Sequence, residues 1–425
     1  MKRSTLLFVF IIGAASVIAQ RNPDSTYLPS IRGIKFYQHG DQFTYPIVTL
    51  GAPSSLELHF DDLGAKIKSY SYTYQLCDAA WNVIDLNPLD YIKGFTQNRL
   101  TQYRVSSIAT VKYIHYQAIL PENSCLPYKS GNYLLKVFLN GDTSKLAFTR
   151  RMLVADNLVA IGLKISQPFN SQLMRTHQKV QFSIDKSKLN ILNPQEQLKV
   201  VVLQNYRWST AVMGAQPLFM RNNVYEYNGE RDFIFPAGKE YRWADLQSFR
   251  YLSARIDHVE KNNLPVDVYL RGDPQRSQDR FLTQQDYNGF YSVSSTDVSN
   301  AWWQGDYGNV HFTFAPYNKQ AFPDKNVYIV GEMTGNAIND STKLTYNETT
   351  GLYEISLLLK QGFYNYTYVT KDLKIKNSKP ETALTDGDYW ETENNYTVLV
   401  YYRSLGDRYD ELVGVATINS KFGLR

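Results

Sequence analysis

The segment Tyr70-Ser71-Tyr72-Thr73-Tyr74-Gln75-Leu76 alternates large apolar side chains with smaller polar ones. A period of two puts every second side chain on the same face of a β-strand, so one face of such a strand is buried and the other is polar. Helical periodicity is scarce, and the same alternation recurs at residues 56–60, 133–137, 266–270, 310–314, 353–359, 364–368 and 396–402. The sequence therefore predicts an all-β protein of antiparallel β-sandwiches, in which tyrosine rings pack inward while their hydroxyl groups reach solvent.

Turn-forming residues interrupt the alternation in two places and divide the chain. One interruption lies at Asp156-Asn157, and the other lies at Ala315-Pro316-Tyr317-Asn318. We therefore expect three tandem domains, at residues 20–156, 157–315 and 316–425. The middle domain has the least defined limits, because residues 211–255 carry neither a clean strand pattern nor a clean helix pattern.

The N-terminus has the pattern of a secretory signal peptide. Lys2 and Arg3 precede an apolar run at residues 6–15, and Ala19 suits cleavage before Gln20. The apolar run is too short for a helix that crosses about 30 Å of hydrocarbon. We expect residues 1–19 to be removed and the mature chain to be soluble in the periplasm or fully secreted.

Composition and motifs exclude several functions. The net charge of +5 is spread over 425 residues, without the clustered Lys and Arg of a nucleic-acid interface. The six histidines lie far apart, and no metal-binding, phosphate-binding or nucleophile motif is present. The adjacent carboxylates Asp61 and Asp62 are interpreted as turn residues that follow a strand. The sequence thus predicts no catalytic residue, no metal site, no cofactor and no enzymatic activity.

Cys77 and Cys125 are the only cysteines. In an oxidising compartment they could form a disulfide, and the alternative is two buried thiols that pack as small apolar side chains. The sequence leaves both alternatives open.

The pair Trp302-Trp303 lies in a polar neighbourhood. If exposed, the two rings could stack on a sugar or on a side chain of a partner protein. Tryptophan is usually buried, which favours packing in a core or between domains instead.

The last domain resembles the early-set sandwich that glycogen-binding modules share. The resemblance is carried by residues 327–332, 351–355 and 360–366. Those modules stack sugar on an exposed tryptophan shortly after the first strand, whereas this chain has Met333-Thr334-Gly335-Asn336 there. The resemblance therefore implies the fold but not the sugar site.

A longer resemblance covers nearly the whole mature chain. The sequence is similar to the type IX secretion system plug protein family of Bacteroidetes, although Cys125 departs from the pattern. The matching segments are Phe60-Asp61-Asp62-Leu63, Tyr74 with Cys77-Asp78 and Trp81, and residues 91–95, 130–137, 149–151, 391–396, 400–403 and 406–409.

This resemblance implies a non-enzymatic periplasmic protein that docks beneath a large outer-membrane β-barrel and blocks the periplasmic mouth of that translocon. It implies a monomer within the complex that touches the membrane only through the barrel and takes no small-molecule substrate and no nucleic acid. Two alternatives remain, a carbohydrate-binding protein and a hydrolase whose site assembles from distant residues.

Overall fold

A computed structural model describes residues 23–423, and the predicted signal peptide at residues 1–19 lies outside the described residues. The predicted all-β class is confirmed. Among the described residues, α-helix is confined to single turns, α1 (Pro194–Gln197), α2 (Ala301–Gln304) and α3 (Ser420–Gly423). None of the helices within residues 23–423 is long and apolar enough to cross a membrane.

The first sandwich packs two sheets with strand orders β1-β3-β8-β7 and β2-β11-β10-β4-β6, and β5 pairs with β9 beside them. Pairing is antiparallel except between β2 and β11. Its strands are β1 (Ile31–Gln38), β2 (Ile47–Thr49), β3 (Leu56–Asp62), β4 (Tyr70–Cys77), β5 (Ile92–Gly94), β6 (Asn98–Arg99), β7 (Gln102–Val105), β8 (Ile114–Leu120), β9 (Cys125–Pro127), β10 (Gly131–Leu139) and β11 (Leu146–Ala155).

One of the two sheets of the second sandwich has the strand order β12-β13-β17-β16, and β18 also pairs with β13 in this sheet. Strands β14 and β15 belong to its other sheet. These strands are β12 (Ala160–Ser166), β13 (His177–Asp185), β14 (Leu198–Gln204), β15 (Val212–Met213), β16 (Phe219–Arg221), β17 (Val224–Tyr227) and β18 (Ile234–Pro236).

The third sandwich contains a sheet of order β20-β21-β24-β27-β26, joined by β22, and a facing sheet of order β19-β28-β23, in which β25 also pairs with β28. Strand β24 pairs in parallel with β21 and β22. The strands are β19 (Arg242–Asp245), β20 (Ile256–Glu260), β21 (Val266–Leu270), β22 (Asp273–Pro274), β23 (Tyr291–Val293), β24 (Tyr307–Ala315), β25 (Lys325–Val330), β26 (Thr345–Asn347), β27 (Leu352–Lys360) and β28 (Gly362–Asp372).

The chain then returns to the second sandwich with β29 (Asn395–Tyr402) and β30 (Glu411–Asn419). Strand β29 pairs with β14 from Leu198–Tyr402 to Gln204–Tyr396, and the sheet order is β15-β14-β29-β30. The sheets therefore do not follow the contiguous segments 157–315 and 316–425 expected from the sequence. The third sandwich is inserted within the second. The sequence did not predict this insertion, because alternation identifies a strand without identifying its partner.

Aromatic rings fill the core of the first sandwich. Phe60 stacks on Tyr116 with ring centroids 5.1 Å apart, and Tyr70 meets Phe60 edge to face at 5.2 Å. The alternation suggested that the tyrosine hydroxyl groups of β4 reach solvent. In the structure they do not. Tyr70 donates to the Asp62 carboxylate at 2.9 Å, while the hydroxyl oxygens of Tyr72 and Tyr74 are buried without a partner among the described residues.

The two cysteines are free thiols on opposite faces of the sheet that contains β4. Cys125 lies in the aromatic core of the first sandwich, whereas Cys77 lies in a separate cluster with Trp81 and Leu153. A disulfide needs Cβ atoms about 3.5–4.5 Å apart, which opposite faces of one sheet do not offer. The structure therefore contradicts the disulfide. Both thiols are free and buried, which is the other alternative that the sequence left open. Burial raises the pKa of each thiol to about 12.

We expect both thiols to be unreactive in the native protein, because burial protects them and suppresses the thiolate. Titration with an aromatic disulfide reagent should give almost no reaction under native conditions and both thiols after unfolding without a reductant. A chain that shows no thiol after unfolding without a reductant would be disulfide-bonded and would contradict this arrangement.

Candidate functional site

Asp61 is the centre of a buried polar network between the first and third sandwiches. It is the penultimate residue of β3 and is 1% exposed, and its Oδ2 accepts hydrogen bonds from Lys360 Nζ and Tyr307 hydroxyl, both at 2.5 Å. Its Oδ1 lies 2.7 Å from Nδ1 of His115 on β8. Burial opposes ionisation of Asp61, but Lys360 and His115 hold the pKa of its carboxyl below the usual value. The interpretation of Asp61 as a turn residue that follows a strand is wrong, because Asp61 lies within β3 and is buried.

Two histidines extend this network towards the surface. Nε2 of His115 lies 3.1 Å from Nδ1 of His59, whose Nε2 lies 3.3 Å from Oε2 of Glu57. Oε1 of Glu57 lies 2.5 Å from Nδ1 of the exposed His39. Burial, with the neighbouring His115, lowers the pKa of His59 to about 4, and burial also lowers the pKa of His115. Both imidazoles are therefore neutral at neutral pH.

The predicted exposed pair of tryptophans belongs to this interface. The Trp302 ring stacks on His59 with centroids 3.9 Å apart, and its carbonyl accepts from Lys360 Nζ at 2.5 Å. The Arg104 guanidinium covers the Trp303 ring at 4.6 Å. Both rings are half-buried in contacts between the sandwiches. This arrangement agrees with packing between domains and does not agree with an exposed pair of rings that stacks on a sugar or a partner.

A second ion pair joins the same two sandwiches. Lys35 on β1 is fully buried, and its Nζ donates to the Glu332 carboxylate at 2.6 Å and to the carbonyl groups of Gln42 and Tyr291 at 2.8 Å each. Burial lowers the pKa of Lys35 and raises the pKa of Glu332. Since desolvation acts against both charges, the carbonyl contacts are what make the buried ammonium tolerable.

Glu332 directly precedes the stretch where glycogen-binding modules carry a tryptophan. Residues 333–336 line a crevice of about 1510 Å³ where the three sandwiches meet. The stretch therefore faces this crevice, beside the first sandwich. This position gives no support to the carbohydrate-binding alternative.

The first and second sandwiches meet mainly through apolar contacts. Two buried hydrogen bonds also cross this interface, since Ala79 N–H donates to Asp410 Oδ2 at 3.0 Å and Tyr401 hydroxyl donates to Asn132 Oδ1 at 2.8 Å. The apolar cluster consists of Cys77, Ala79, Trp81, Leu134, Leu153, Ala155, Val201, Leu203, Leu399, Tyr401 and Leu412.

Sequence reasoning missed the partners of Asp61 because they are distant in sequence. Lys360 is 299 residues away and Tyr307 is 246 residues away. A local signal existed at Lys360, which follows Leu357-Leu358-Leu359 in a strand and therefore places a charge in an apolar environment. Within residues 23–423 no group of three or more His, Cys, Asp or Glu side chains could hold a metal ion.

Taken together, the fold and its buried contacts define a protein of three β-sandwiches, in which the buried charges described above join the first sandwich to the third. Residues 31–156 match the family model described as the type 9 secretion system plug protein 1st domain. The chain belongs to the type IX secretion system plug protein family.

A solved structure extends the similarity beyond the first sandwich. The crystal structure of a hypothetical protein from Parabacteroides merdae ATCC 43184 is 31% identical, with a TM-score of 0.89. The match covers 93% of this chain and 98% of that chain. No protein of curated function matches the sequence.

Replacing Lys360 by methionine should strongly destabilise the protein, because it leaves the Asp61 carboxylate buried without its ammonium partner. We expect a loss of about 3–5 kcal/mol in the free energy of unfolding, measured in urea. The control is Lys343→Met, whose ammonium lies 3.7 Å from the exposed Asp340 and which should cost less than about 1 kcal/mol. Equal losses in the two variants would show that the buried pair has no special role.

Acid should destabilise the protein through the buried histidines. An unfolded histidine titrates near pH 6.5, whereas His59 in the folded state titrates near about 4, so only the unfolded chain takes up the proton between these values. The free energy of unfolding should therefore fall as the pH drops from 6.5 towards 4.

His59→Phe keeps a ring that can stack on Trp302 and removes the titrating group, so its loss of stability with falling pH should be shallower than in the wild type. His258→Phe, at an exposed position, should keep the wild-type slope. The assignment fails if urea unfolding gives His59→Phe and the wild type the same slope.

Proposed function

We propose that this protein is the periplasmic plug of the type IX secretion translocon, and that it binds the periplasmic mouth of a large outer-membrane β-barrel and blocks it. The observation that carries the proposal is the match of residues 31–156 to the plug family model. Members of this family act as components of secretion rather than as catalysts. In this role the chain is exported to the periplasm and functions through protein contacts alone.

The internal contacts support a role that depends on shape. A stopper has to resist deformation while it covers an opening. Buried ion pairs join the first and third sandwiches, and an apolar cluster joins the first and second. A stable seal also needs a broad contact, on the order of 1,200–2,000 Å² of total buried surface.

Affinity isolation tests the binding half of the proposal. A tagged full-length chain should recover one very large outer-membrane barrel from detergent-solubilised membranes of the producing cell. Lys343→Met should recover it equally well, because this substitution changes only a solvent-exposed ion pair. Recovery of the chain without any barrel would contradict the proposal.

Deletion of the gene tests the sealing half. The outer membrane should become permeable to large antibiotics when the barrel is present and should stay tight when the barrel is also deleted. Equal leakage in both strains would show that the protein does not act by closing this pore.

A further inference from the structure

The third sandwich is attached to the second by two segments that bind each other. Residues 237–241 lead into the third sandwich and residues 387–394 lead back. Gly238 N–H donates to Asp388 Oδ1 at 2.8 Å, and Gly238 carbonyl accepts from Tyr389 N–H and Thr392 hydroxyl, each at 2.8 Å. We name these two segments the crossing. Both chain connections between the second and third sandwiches run through it.

The crossing contains a buried carboxyl group, and one of its oxygens accepts no hydrogen bond from the described residues. Glu240 is 2% exposed, and its Oε1 accepts from Glu393 N–H at 3.3 Å. Its Oε2 is buried without a hydrogen-bond partner among the described residues. The Asp286 carboxyl, which is 8% exposed, lies beside Glu240, because its Oδ2 accepts from the N–H of Tyr241, the next residue in the chain, and each of the two acids acts on the charge of the other.

Asp286 is already held by backbone donors. Its Oδ2 accepts from Tyr241 N–H at 2.5 Å, and its Oδ1 accepts from Asn288 N–H at 2.7 Å. Such donors favour the charged form of a carboxyl. Asp286 is therefore suited to be the acceptor of the pair, and Glu240 is suited to be the protonated donor.

The basic groups nearby do not neutralise the pair. Arg276 Nη2 donates to the Glu240 carbonyl at 2.9 Å, and Lys239 Nζ donates to the carbonyl groups of Arg276 and Asp279 at 2.6 and 2.8 Å. Within residues 23–423 neither Glu240 nor Asp286 forms a salt bridge, and the third nearby acid, Glu393, adds negative charge. No metal-holding group is found in this part of the chain either.

Two ionised carboxylates in contact at a buried position repel each other, and a buried oxygen without a donor is costly. One proton on Glu240 Oε2 removes both costs, because that oxygen then donates to Asp286. Burial is the main cause that raises the pKa of Glu240 to about 8 and the pKa of Asp286 to about 6.

We propose that Glu240 and Asp286 share one proton that closes the crossing, and that loss of this proton at alkaline pH loosens the third sandwich from the second. The device is a pH-dependent latch, and it does not depend on the proposed plug function. The folded state binds a proton that the unfolded chain has released above pH 4.5, so the stabilisation fades as the pH rises towards about 8.

Amide hydrogen exchange in the full-length protein tests the latch. The amides of Tyr241 and Glu393 donate to the two carboxyls, so their protection factors, corrected for intrinsic exchange, should fall with a midpoint near pH 8. Glu240→Gln keeps a donor towards Asp286 and cannot ionise, so it should keep protection across this range. Glu348→Gln, an exposed control in the third sandwich, should keep the wild-type transition.

Asp286→Asn should move the midpoint to lower pH, because it removes the neighbouring negative charge from Glu240. Infrared spectroscopy of the wild type should show a protonated carboxyl at neutral pH that disappears near pH 8, a readout that requires no variant to fold. Three results would each overturn the latch: wild-type protection without a transition, a transition that persists in Glu240→Gln, or a transition abolished by added Ca²⁺, which would indicate a cation site instead.

Discussion

The buried ion pair between Asp61 and Lys360 is the contact on which the arrangement of the sandwiches depends. Each partner is at most 2% exposed, and each comes from a different sandwich. A buried charge is costly unless its partner is correctly placed, so the pair penalises every other orientation of the two sandwiches. Tyr307 and His115 fill the remaining positions around the Asp61 carboxylate and make the geometry more specific.

The two interfaces of the first sandwich are held together by different kinds of interaction. The contact with the second sandwich is an apolar cluster, which contributes stability roughly in proportion to the area buried. The contact with the third sandwich contains the pairs Asp61–Lys360 and Lys35–Glu332, which contribute orientation more than stability. A plug that must keep its shape against a pore would benefit from both, because the first interface resists separation and the second resists rotation.

The sequence predicted the fold class because each strand carries its own alternation, as Tyr70–Leu76 shows. It did not predict that β14 pairs with β29, since that partnership joins residues about two hundred positions apart and leaves no local pattern. The site was missed for the same reason. Asp61-Asp62-Leu63-Gly64 has the composition of a turn, and only the arrival of Lys360 and Tyr307 from the third sandwich shows that Asp61 is a buried ion-pair partner. The resemblance to the plug family was recognised from the order of short motifs along the chain. That order can be read from the sequence even where individual contacts cannot be predicted.

Native-state hydrogen exchange across the first–third interface tests the central claim most directly. If the Asp61–Lys360 contact joins the two sandwiches into one unit, the slowest amides of β3 and β27 should open with the same free energy and the same dependence on denaturant. Opening of β27 at a clearly lower free energy, while β3 stays protected, would show that the third sandwich moves independently and would contradict the account.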